Sequence, residues 1–417
     1  MDGVPPETSR SRRLLAAAIG LLVFAAAGVF AWRAFERTEP LPKPSSTAVP
    51  RADPLEAIPA GWTELPAPPE IRSGSAAIWA GGELIDWGGS TYDRDTDTTT
   101  YAVDGFAFDP VDSTWRSIPP APSARAGARG VWTGTEALFL FGRDDDREFT
   151  DGLAFDPASE TWRSVAASPL EGSVAVSTWT GTEAIVWGGG HISADHEAEG
   201  AAYDPSTDTW RRIADAPHGL NLASGVWTGD ELIVFGSLLD NRNVADTDTS
   251  VGAAYDPATD RWRELSPSQL SPQATSAVWT GDRMVAWDYE VHSQEYDPAT
   301  DRWTEPVRMP LSFSECYPDS VAVTGFVFAW FCGDAALYDI ATGDWHRIHG
   351  GMLEPTIEAN SQPYQLWRFA SLIPAGDTMF FEAEGITVTK SDEPCYGCSG
   401  SPTSFWVYRP SAPSASA

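Results

Sequence analysis

The sequence predicts an all-β propeller of seven four-stranded blades, preceded by one transmembrane helix, from three observations. First, the 417 residues include 19 Trp, 36 Gly and 33 Pro. This composition suits short strands and tight turns, because aromatic residues favour pleated surfaces while Gly and Pro interrupt them. Second, one pattern of apolar and turn residues repeats along the chain. Third, a single long apolar segment lies near the N-terminus. A six-bladed ring is the alternative to seven blades.

The apolar segment, Leu14–Trp32, is long enough to span a membrane once. It contains 19 residues without a charge, and at about 1.5 Å per residue this length matches the hydrocarbon core. Arg10, Arg12 and Arg13 precede the segment, so the positive-inside rule places residues 1–13 in the cytoplasm and the rest of the chain outside. We therefore expect a single-pass protein of the cell membrane, held there by residues 14–32, with an extracytoplasmic folded part.

Cleavage of this segment as a signal peptide is the alternative, since Ala25–Ala27 offer a site of small residues. An uncleaved signal anchor is favoured because the apolar run continues past these alanines to spanning length. Residues 33–60 are rich in Pro, Ser and Ala and lack apolar periodicity, so we expect a linker there. Residues 411–417 are similar and are expected to form a disordered tail, which leaves residues 61–410 for the propeller.

The repeat is easiest to follow through the Trp that ends each copy. In the third copy we predict strands a to d over Val174–Trp179, Ala184–Trp187, Gly200–Tyr203 and around Trp210. Thr180-Gly181 and Asp204-Pro205 are the turn sequences between these strands. Aromatic residues at fixed blade positions are expected to form the core between blades. The final Trp residues are 41–52 positions apart, which fits a four-stranded blade: Trp115, Trp162, Trp210, Trp262, Trp303 and Trp345.

The seventh copy lacks its last strand, and the missing strand lies at the other end of the chain. Leu366–Ile373, Thr378–Ala383 and Phe405–Tyr408 predict strands a to c of this copy. Gly61–Pro66 matches strand d of the other copies and has no strands a to c before it. We therefore expect residues 61–66 to complete the seventh blade, which closes the ring and removes exposed strand edges.

The copies resemble bacterial Kelch repeats, which have a glycine-rich end to strand b and a spaced aromatic pair later in the blade. The resemblance covers residues 61–410 and implies a propeller like the central domain of galactose-oxidase-like proteins. It implies function only as a class. The double glycine is intact at Gly88-Gly89 and Gly188-Gly189 and degenerate at Phe141-Gly142, Phe235-Gly236, Trp287-Asp288 and Cys332-Gly333.

Variable loops on one face of the ring are the predicted binding region. Strands of a blade alternate in direction, so the b–c and d–a loops share one face, the loop face, while the a–b and c–d turns share the opposite turn face. The turns are nearly identical between copies, whereas the b–c loops differ, and binding residues usually lie on variable loops of a rigid scaffold. The b–c loops are Ser90–Asp104, Arg143–Asp151, His191–Glu199, Ser237–Val251 and Lys390–Ser404.

Carboxylates are concentrated in these b–c loops and suit a basic protein, a glycan or a divalent cation, with solvated polar loops as the alternative. Asp93-x-Asp95-x-Asp97 resembles the start of a calcium loop but lacks the Gly and Glu that follow in such loops. His191 and His196 are the candidate metal ligands, with purely solvated histidines as the alternative. The candidate ligand-binding residues are Asp93, Asp95, Asp97, Asp144, Asp145, Asp146, Asp195, Glu197, Asp246 and Asp248.

Four cysteines are predicted to form two disulfides, which an extracytoplasmic location permits. Cys316 and Cys332 lie symmetrically about the turn of the sixth copy, so they would face each other across one hairpin at about 5 Å between Cα atoms. Cys395 and Cys398 lie in the long b–c loop of the seventh copy and are predicted to close it. A zinc site or a redox CxxC motif is the alternative.

The net charge of −32, from 59 acidic and 27 basic residues, argues against a nucleic-acid partner because a polyanion would be repelled. The sequence contains no nucleophile elbow, phosphate loop or HExxH motif. We therefore predict no catalytic residue and no cofactor. The predicted function is a cell-surface binding module with an unknown protein or glycan partner. The alternative is a carbohydrate-active or metal-dependent enzyme, galactose-oxidase-like or sialic-acid-processing, which fold analogy alone suggests.

Overall fold

The computed structural model is an all-β propeller of seven blades, as the repeat predicted. Its described residues form 31 strands in seven antiparallel sheets. The innermost strands of neighbouring blades contact one another around the whole ring, including those of the first and last blades. The structure describes residues 55, 58–70, 72–93, 95–172, 174–189, 198–240, 243–244, 250–272, 276–311, 319–331, 334–348, 364–375, 378–388 and 403–410.

Each blade has four main strands, a to d, from the ring axis outward. The first strand in the chain, β1 (Gly61–Leu65), belongs to the last blade. Blade 1 contains β2 (Ser73–Trp79), β3 (Leu84–Asp93), β4 (Thr98–Tyr101), β5 (Gly105–Asp109) and β6 (Thr114–Ile118). Blade 2 contains β7 (Arg129–Trp132), β8 (Ala137–Leu140), β9 (Gly152–Asp156) and β10 (Thr161–Val165). Blade 3 contains β11 (Val176–Trp179), β12 (Ala184–Trp187), β13 (Gly200–Asp204) and β14 (Thr209–Arg212).

The remaining blades follow the same order. Blade 4 contains β15 (Leu220–Trp227), β16 (Leu232–Asp240), β17 (Asn243–Val244), β18 (Val251–Asp256) and β19 (Arg261–Glu264). Blade 5 contains β20 (Ser276–Trp279), β21 (Met284–Trp287), β22 (His292–Asp297), β23 (Arg302–Trp303) and β24 (Val307–Arg308). Blade 6 contains β25 (Asp319–Val323), β26 (Phe326–Phe331), β27 (Asp334–Asp339) and β28 (Asp344–Arg347). Blade 7 contains β29 (Tyr364–Ala375), β30 (Thr378–Val388) and β31 (Thr403–Arg409), with β1 outermost.

The first strand of the propeller completes its last blade. β1 pairs antiparallel with β31, so that Trp62 lies opposite Tyr408 and Leu65 lies opposite Phe405. The strand order of blade 7 is β29-β30-β31-β1. The predicted closure by the N-terminal strand is therefore present, and the ring has seven blades rather than six.

Aromatic residues form the core between blades. Trp162, on the outermost strand of blade 2, lies 5.2 Å from Trp87 on strand b of blade 1 and 4.8 Å from Phe155 in its own blade, as ring-centroid distances. Its indole nitrogen donates a hydrogen bond to the carbonyl of Pro119 at 2.8 Å. Trp262 packs on Trp187 of the preceding blade in the same way. The predicted role of the repeated Trp residues in the blade interfaces is therefore confirmed at these positions.

Three short strands were not predicted, and each extends a blade. β4 pairs with the end of β3, and β17 pairs with the end of β16, so two of the variable b–c loops begin as hairpins. The third short strand, β24, pairs with the start of β22 in blade 5. The sequence of β4, Thr98–Tyr101, has three β-branched Thr residues that favour a strand. In the third copy, strand a begins at Val176 rather than at Val174.

The predicted transmembrane segment, residues 14–32, lies outside the described residues, as do residues 1–13, most of the predicted linker 33–60 and the tail 411–417. Of the predicted linker, the structure describes residues 55 and 58–60, and Leu55 and Ile58 are buried in the core of the propeller. In the part of the chain that the structure describes, no helix has the length and apolar character needed to cross a membrane. All four cysteines also lie outside it. The membrane anchor and the two disulfides therefore stay predictions.

Candidate functional site

Several charged residues of the turn face form a repeated network that joins neighbouring blades. Between blades 2 and 3, Arg163 Nη2 lies 2.6 Å from Glu136 Oε2 of its own blade, and Arg163 Nη1 donates to the Tyr203 hydroxyl of the next blade at 3.1 Å. Tyr203 donates to Asp208 Oδ1 at 2.8 Å, and this oxygen also accepts the backbone N–H of Ala166 in blade 2 at 2.9 Å. We call this Glu-Arg-Tyr-Asp arrangement the clamp.

The clamp keeps its charge pattern over a wide pH range. Burial raises the pKa of Tyr203 to about 12, so the phenol stays a hydrogen-bond donor. The N–H of Ala166 lowers the pKa of Asp208, so the carboxylate stays ionised. The clamp recurs between blades 3 and 4 and between blades 4 and 5 as Glu183, Arg211, Tyr255 and Asp260, and as Glu231, Arg263, Tyr296 and Asp301. These carboxylates of the turn face therefore serve the fold.

The Trp-Thr-Gly motif positions the Glu of each clamp. In blade 2, Thr133 Oγ1 accepts the N–H of Glu136 at 2.9 Å and donates to its carbonyl at 3.1 Å. Gly134 between them has φ of +96°, a conformation that glycine adopts without strain. The tight a–b turn thereby directs the Glu136 carboxylate toward Arg163 of strand d.

An open cleft of about 510 Å³ lies on the turn face between blades 4 and 5. Asp230, Asp282 and Trp279 contribute to its lining together with Glu231. Glu231 Oε2 lies 2.7 Å from the guanidinium of Arg263. One wall of this cleft is therefore part of the clamp.

The loop face differs from the turn face because three blades extend beyond the common strand length there. Strand b has four residues in blades 2 and 3, but β3 has 10 and β16 has 9. In blade 7, β29 and β30 have 12 and 11 residues. The variable b–c loops that the sequence indicated therefore include rigid strand extensions.

The predicted residues Asp93, Asp95 and Asp97 lie together at the tip of the β3–β4 hairpin. Asp93 Oδ1 accepts the backbone N–H of Asp95 at 2.8 Å, and Asp97 Oδ1 accepts the Tyr92 hydroxyl at 2.5 Å. Hydrogen bonds from the hydroxyl and backbone of Thr96 and from the backbone of Asp95 lower the pKa of Asp93. The Asp93 side chain closes the hairpin turn, while all three carboxylates remain exposed to solvent.

The predicted residues Asp144, Asp145 and Asp146 form a second tight turn in the b–c loop of blade 2. Asp144 Oδ1 accepts the backbone N–H groups of Asp146 and Arg147 at 2.9 and 3.0 Å. Asp145 and Asp146 are exposed. The loop is fixed below the turn by a β-bridge between Ala126 and Arg143.

Two buried arginines that sequence reasoning missed support these two loops. Arg125 is 1% exposed, lies 2.8 Å from Asp151 Oδ1 and stacks on Phe149 at 4.0 Å, and burial lowers its pKa. Arg72 is 6% exposed and lies 2.9 Å from Asp104 Oδ1. Both arginines stand seven positions before the Trp that ends strand a, and both aspartates directly precede strand c. That shared spacing in the first two copies is the signal that could have found the pairs.

The double glycine of blade 1 lies where the two arginine segments meet. The N–H of Gly89 donates to the carbonyl of Arg125 at 2.8 Å. A Cβ on Gly88 would lie 2.6 Å from that carbonyl oxygen, and a Cβ on Gly89 would lie 2.7 Å from Cβ of Arg72. Both glycines have positive φ. The Gly88-Gly89 motif therefore permits a close backbone approach under the β3–β4 hairpin.

Two buried carboxyls lie at or near the position of the double glycine: Asp86 stands two residues before Gly88, and Asp288 stands at the equivalent position of blade 5. Asp86 is 5% exposed, and burial raises its pKa against the opposing influence of Ser75 and Arg72. Among the described residues, its Oδ1 atom has no hydrogen-bond partner. Asp288 replaces the first glycine in blade 5 and accepts the N–H groups of His292 and Ser271 at 2.9 and 2.8 Å. Asp288 thereby closes a short b–c loop, which explains why this copy departs from the double glycine.

The other predicted site residues fall outside the described part of the chain: Asp195, Glu197, Asp246, Asp248, His191 and His196. Within the described part, no group of three or more His, Cys, Asp or Glu side chains has a metal-binding arrangement. The structure thus brings together only the two acidic clusters of blades 1 and 2, each on its own loop.

No protein-family model matches the chain, and no curated protein matches its sequence. The geometry of the loop face therefore supplies the basis for a functional proposal. This face offers a rigid acidic surface with an exposed aromatic side chain at the tip of blade 1.

Proposed function

We propose that the chain is a membrane-anchored binding module of the bacterial Kelch-like kind, which binds a protein with a basic surface outside the cytoplasm. The loop face is the binding surface, and the β3–β4 hairpin is its principal contact. Photo-crosslinking distinguishes a basic protein from the two other candidate partners, a glycan and a divalent cation.

The exposed acidic cluster of the β3–β4 hairpin, together with Tyr92 beside it, carries this proposal. On the turn face, Glu136 and Asp208 are engaged by Arg163 and by the backbone. On the loop face, no Arg or Lys among the described residues lies within ion-pair distance of the hairpin aspartates: Asp93, Asp95 and Asp97. Unpaired exposed carboxylates attract a partner of opposite charge and increase its rate of association.

The hairpin also presents an aromatic side chain. Tyr92 is 58% exposed, while its hydroxyl is held by Asp97 at 2.5 Å. Tyr is among the residues that dominate binding energy at protein interfaces, because a large rigid ring loses little conformational entropy on binding. Arg72 and Arg125 fix the base of the hairpin, so the ring is positioned before a partner arrives.

The location and family rest on sequence features. Residues 14–32 and the arginines before them support the membrane anchor, and the double glycine with the Trp spacing supports the Kelch-like assignment. Leu55 and Ile58, near the end of the predicted linker, are buried in the propeller core beside Phe405 and Val407, so a tether to the membrane would lie before residue 55.

Site-specific photo-crosslinking of the full-length chain in its native membrane tests the proposal. A photoreactive residue replaces Thr96, exposed at the hairpin tip, or Ala258, exposed on the turn face as the matched control. We expect Thr96 to crosslink one protein of basic surface and Ala258 not to crosslink it. A partner crosslinked only through Ala258, or none through either position, contradicts the proposal. Loss of the crosslink after glycosidase treatment or chelation would instead assign a glycan or a divalent cation.

A further inference from the structure

Arg129 has an unusual position on the innermost strand of blade 2. It is the first residue of β7, and its side chain is accessible to solvent. β7 is the innermost strand of blade 2, it contacts the innermost strands of blades 1 and 3 around the ring axis, and it begins on the loop face. Burial also lowers the pKa of the guanidinium. We therefore place the guanidinium in the central channel, near its opening on the loop face.

The guanidinium is oriented but not neutralised. Its Nε atom donates to the carbonyl of Val174 in the connection to blade 3, at 3.0 Å. Among the described residues, no carboxylate lies within ion-pair distance of it, and desolvation is the only influence on its pKa. Arg125 and Arg163, in contrast, each pair with a carboxylate. Arg308 also has no ion pair among the described residues, but it lies on β24, whereas Arg129 lies on the innermost strand of its blade.

Serine residues occupy the same level of the innermost strands in other blades. Arg129 lies three positions before the last residue of its strand a and pairs with Leu140, the last residue of strand b. Three serines stand at the same distance from the end of strand a in blades 4 to 6: Ser224, Ser276 and Ser320. Ser276 Oγ and Ser320 Oγ are 2.6 Å apart and link two of these blades. One cation and several hydroxyl donors therefore lie on the inner strands at one level.

We propose that the central channel contains an oxyanion site at Arg129, which takes the carboxylate or phosphate group of a small molecule. With Nε held by Val174, the two Nη groups have no hydrogen bond to any described residue and form the planar fork that binds two oxygens of one anion. The net negative charge of the chain does not prevent this, because exposed charges beyond about 8 Å are largely screened at physiological ionic strength. This site is independent of partner binding by the β3–β4 hairpin.

Isothermal titration of the full-length chain, in lipid nanodiscs and Tris buffer, tests this site with inorganic phosphate and with succinate. We expect one equivalent of either anion to bind, and Arg129→Gln to weaken binding at least about tenfold, the effect of losing a charge-assisted hydrogen-bonded pair. Arg308→Gln is the matched control, since Arg308 is also exposed but lies on β24, away from the channel. Its affinity should equal that of the wild type.

Binding of only one of the two probes would support the site and identify the oxyanion group. The absence of binding by the wild type, or equal affinities of the wild type and Arg129→Gln, overturns the proposal and leaves Arg129 as a link between blades 2 and 3. If Arg129→Gln does not fold, Arg129→Lys decides. It keeps the charge but loses the fork, so we expect weaker binding, and an affinity equal to that of the wild type overturns the proposal.

Discussion

The guanidinium of Arg163 in blade 2 donates a hydrogen bond to the hydroxyl of Tyr203 in blade 3. This hydrogen bond connects the Arg163–Glu136 ion pair of blade 2 to the Asp208 carboxylate of blade 3, which accepts the Tyr203 hydroxyl. Where the hydroxyl is missing, as at Phe155 of blade 2, the preceding arginine, Arg116, pairs with Glu160 instead. In blade 6, Tyr338 donates to Glu295 of the preceding blade. Each of these arrangements links neighbouring blades on the turn face.

Removal of one clamp hydroxyl should weaken the ring modestly. Tyr203→Phe removes the acceptor of Arg163 and the donor to Asp208, and we expect the free energy of unfolding to fall by about 1 kcal/mol. Urea unfolding measures this change. Tyr92→Phe, at an exposed hydroxyl, should change stability by less than about 0.5 kcal/mol. Equal effects of the two substitutions would contradict the role of the clamp.

The buried carboxyl of Asp86 should make stability depend on pH. Because its folded-state pKa is raised, its favourable contribution is complete below the unfolded pKa and is lost as the pH rises through the folded pKa. Asp86→Asn stays neutral, so we expect it to match the wild type near pH 4 and to exceed its stability at pH 8 by about 1–3 kcal/mol. Urea unfolding at both pH values measures the difference.

Asp208→Asn provides the control of opposite sign. The pKa of Asp208 is lowered in the folded state, so its contribution to stability is present above the unfolded pKa and is lost as the pH falls through the folded pKa. This variant should be less stable than the wild type at neutral pH and approach it in acid. A stability difference for Asp86→Asn that does not change with pH would show that its carboxyl is not desolvated.

The double glycine should be required for packing as well as for backbone conformation. Gly89→Ala would place Cβ 2.7 Å from Cβ of Arg72 and 2.9 Å from the backbone of Ser75, at φ of +84°. Gly134→Ala has a similar φ of +96° with no atom within 4 Å. We expect the first substitution to destabilise by at least about 2 kcal/mol and the second by about 1 kcal/mol. Equal losses in chemical denaturation would refute the close approach.

The predicted membrane anchor should be retained in the mature protein. We expect the chain to stay in the membrane fraction after alkaline extraction, with residues 1–32 intact by mass spectrometry, because the apolar run continues past Ala25–Ala27. Protease added to intact cells should digest the propeller. A mature chain that begins just after Ala27 would establish the cleaved signal peptide instead, and a protected propeller would reverse the topology.

The repeat made the fold predictable because each copy carries its own turns. Thr133-Gly134 and Asp204-Pro205 define strand ends locally, and the fixed Trp positions define the blade length. Strand b of the third copy was predicted residue for residue, Ala184–Trp187. Closure by Gly61–Leu65 was predictable because this segment matches strand d but follows no strands a to c, while the seventh copy has strands a to c but no strand d.

The candidate site was predictable only in part, because its contacts join residues that are far apart in the sequence. Asp93 and Asp144 were found by composition, but their turn-closing hydrogen bonds depend on local backbone geometry. Arg72 pairs with Asp104 across 32 positions. The surroundings of Arg129 exist only once the ring is closed. Periodicity predicts what copies share, whereas binding surfaces arise where copies differ.

Hydrogen–deuterium exchange of the full-length chain, with and without its crosslinked partner, tests most directly whether the loop face is the binding surface. The proposal predicts slower exchange in the β3–β4 hairpin, residues 90–101, and unchanged exchange in the a–b turns at residues 133–136, 180–183 and 228–231. Protection confined to those turns would contradict the proposal, because the partner would then bind the face that carries the clamps.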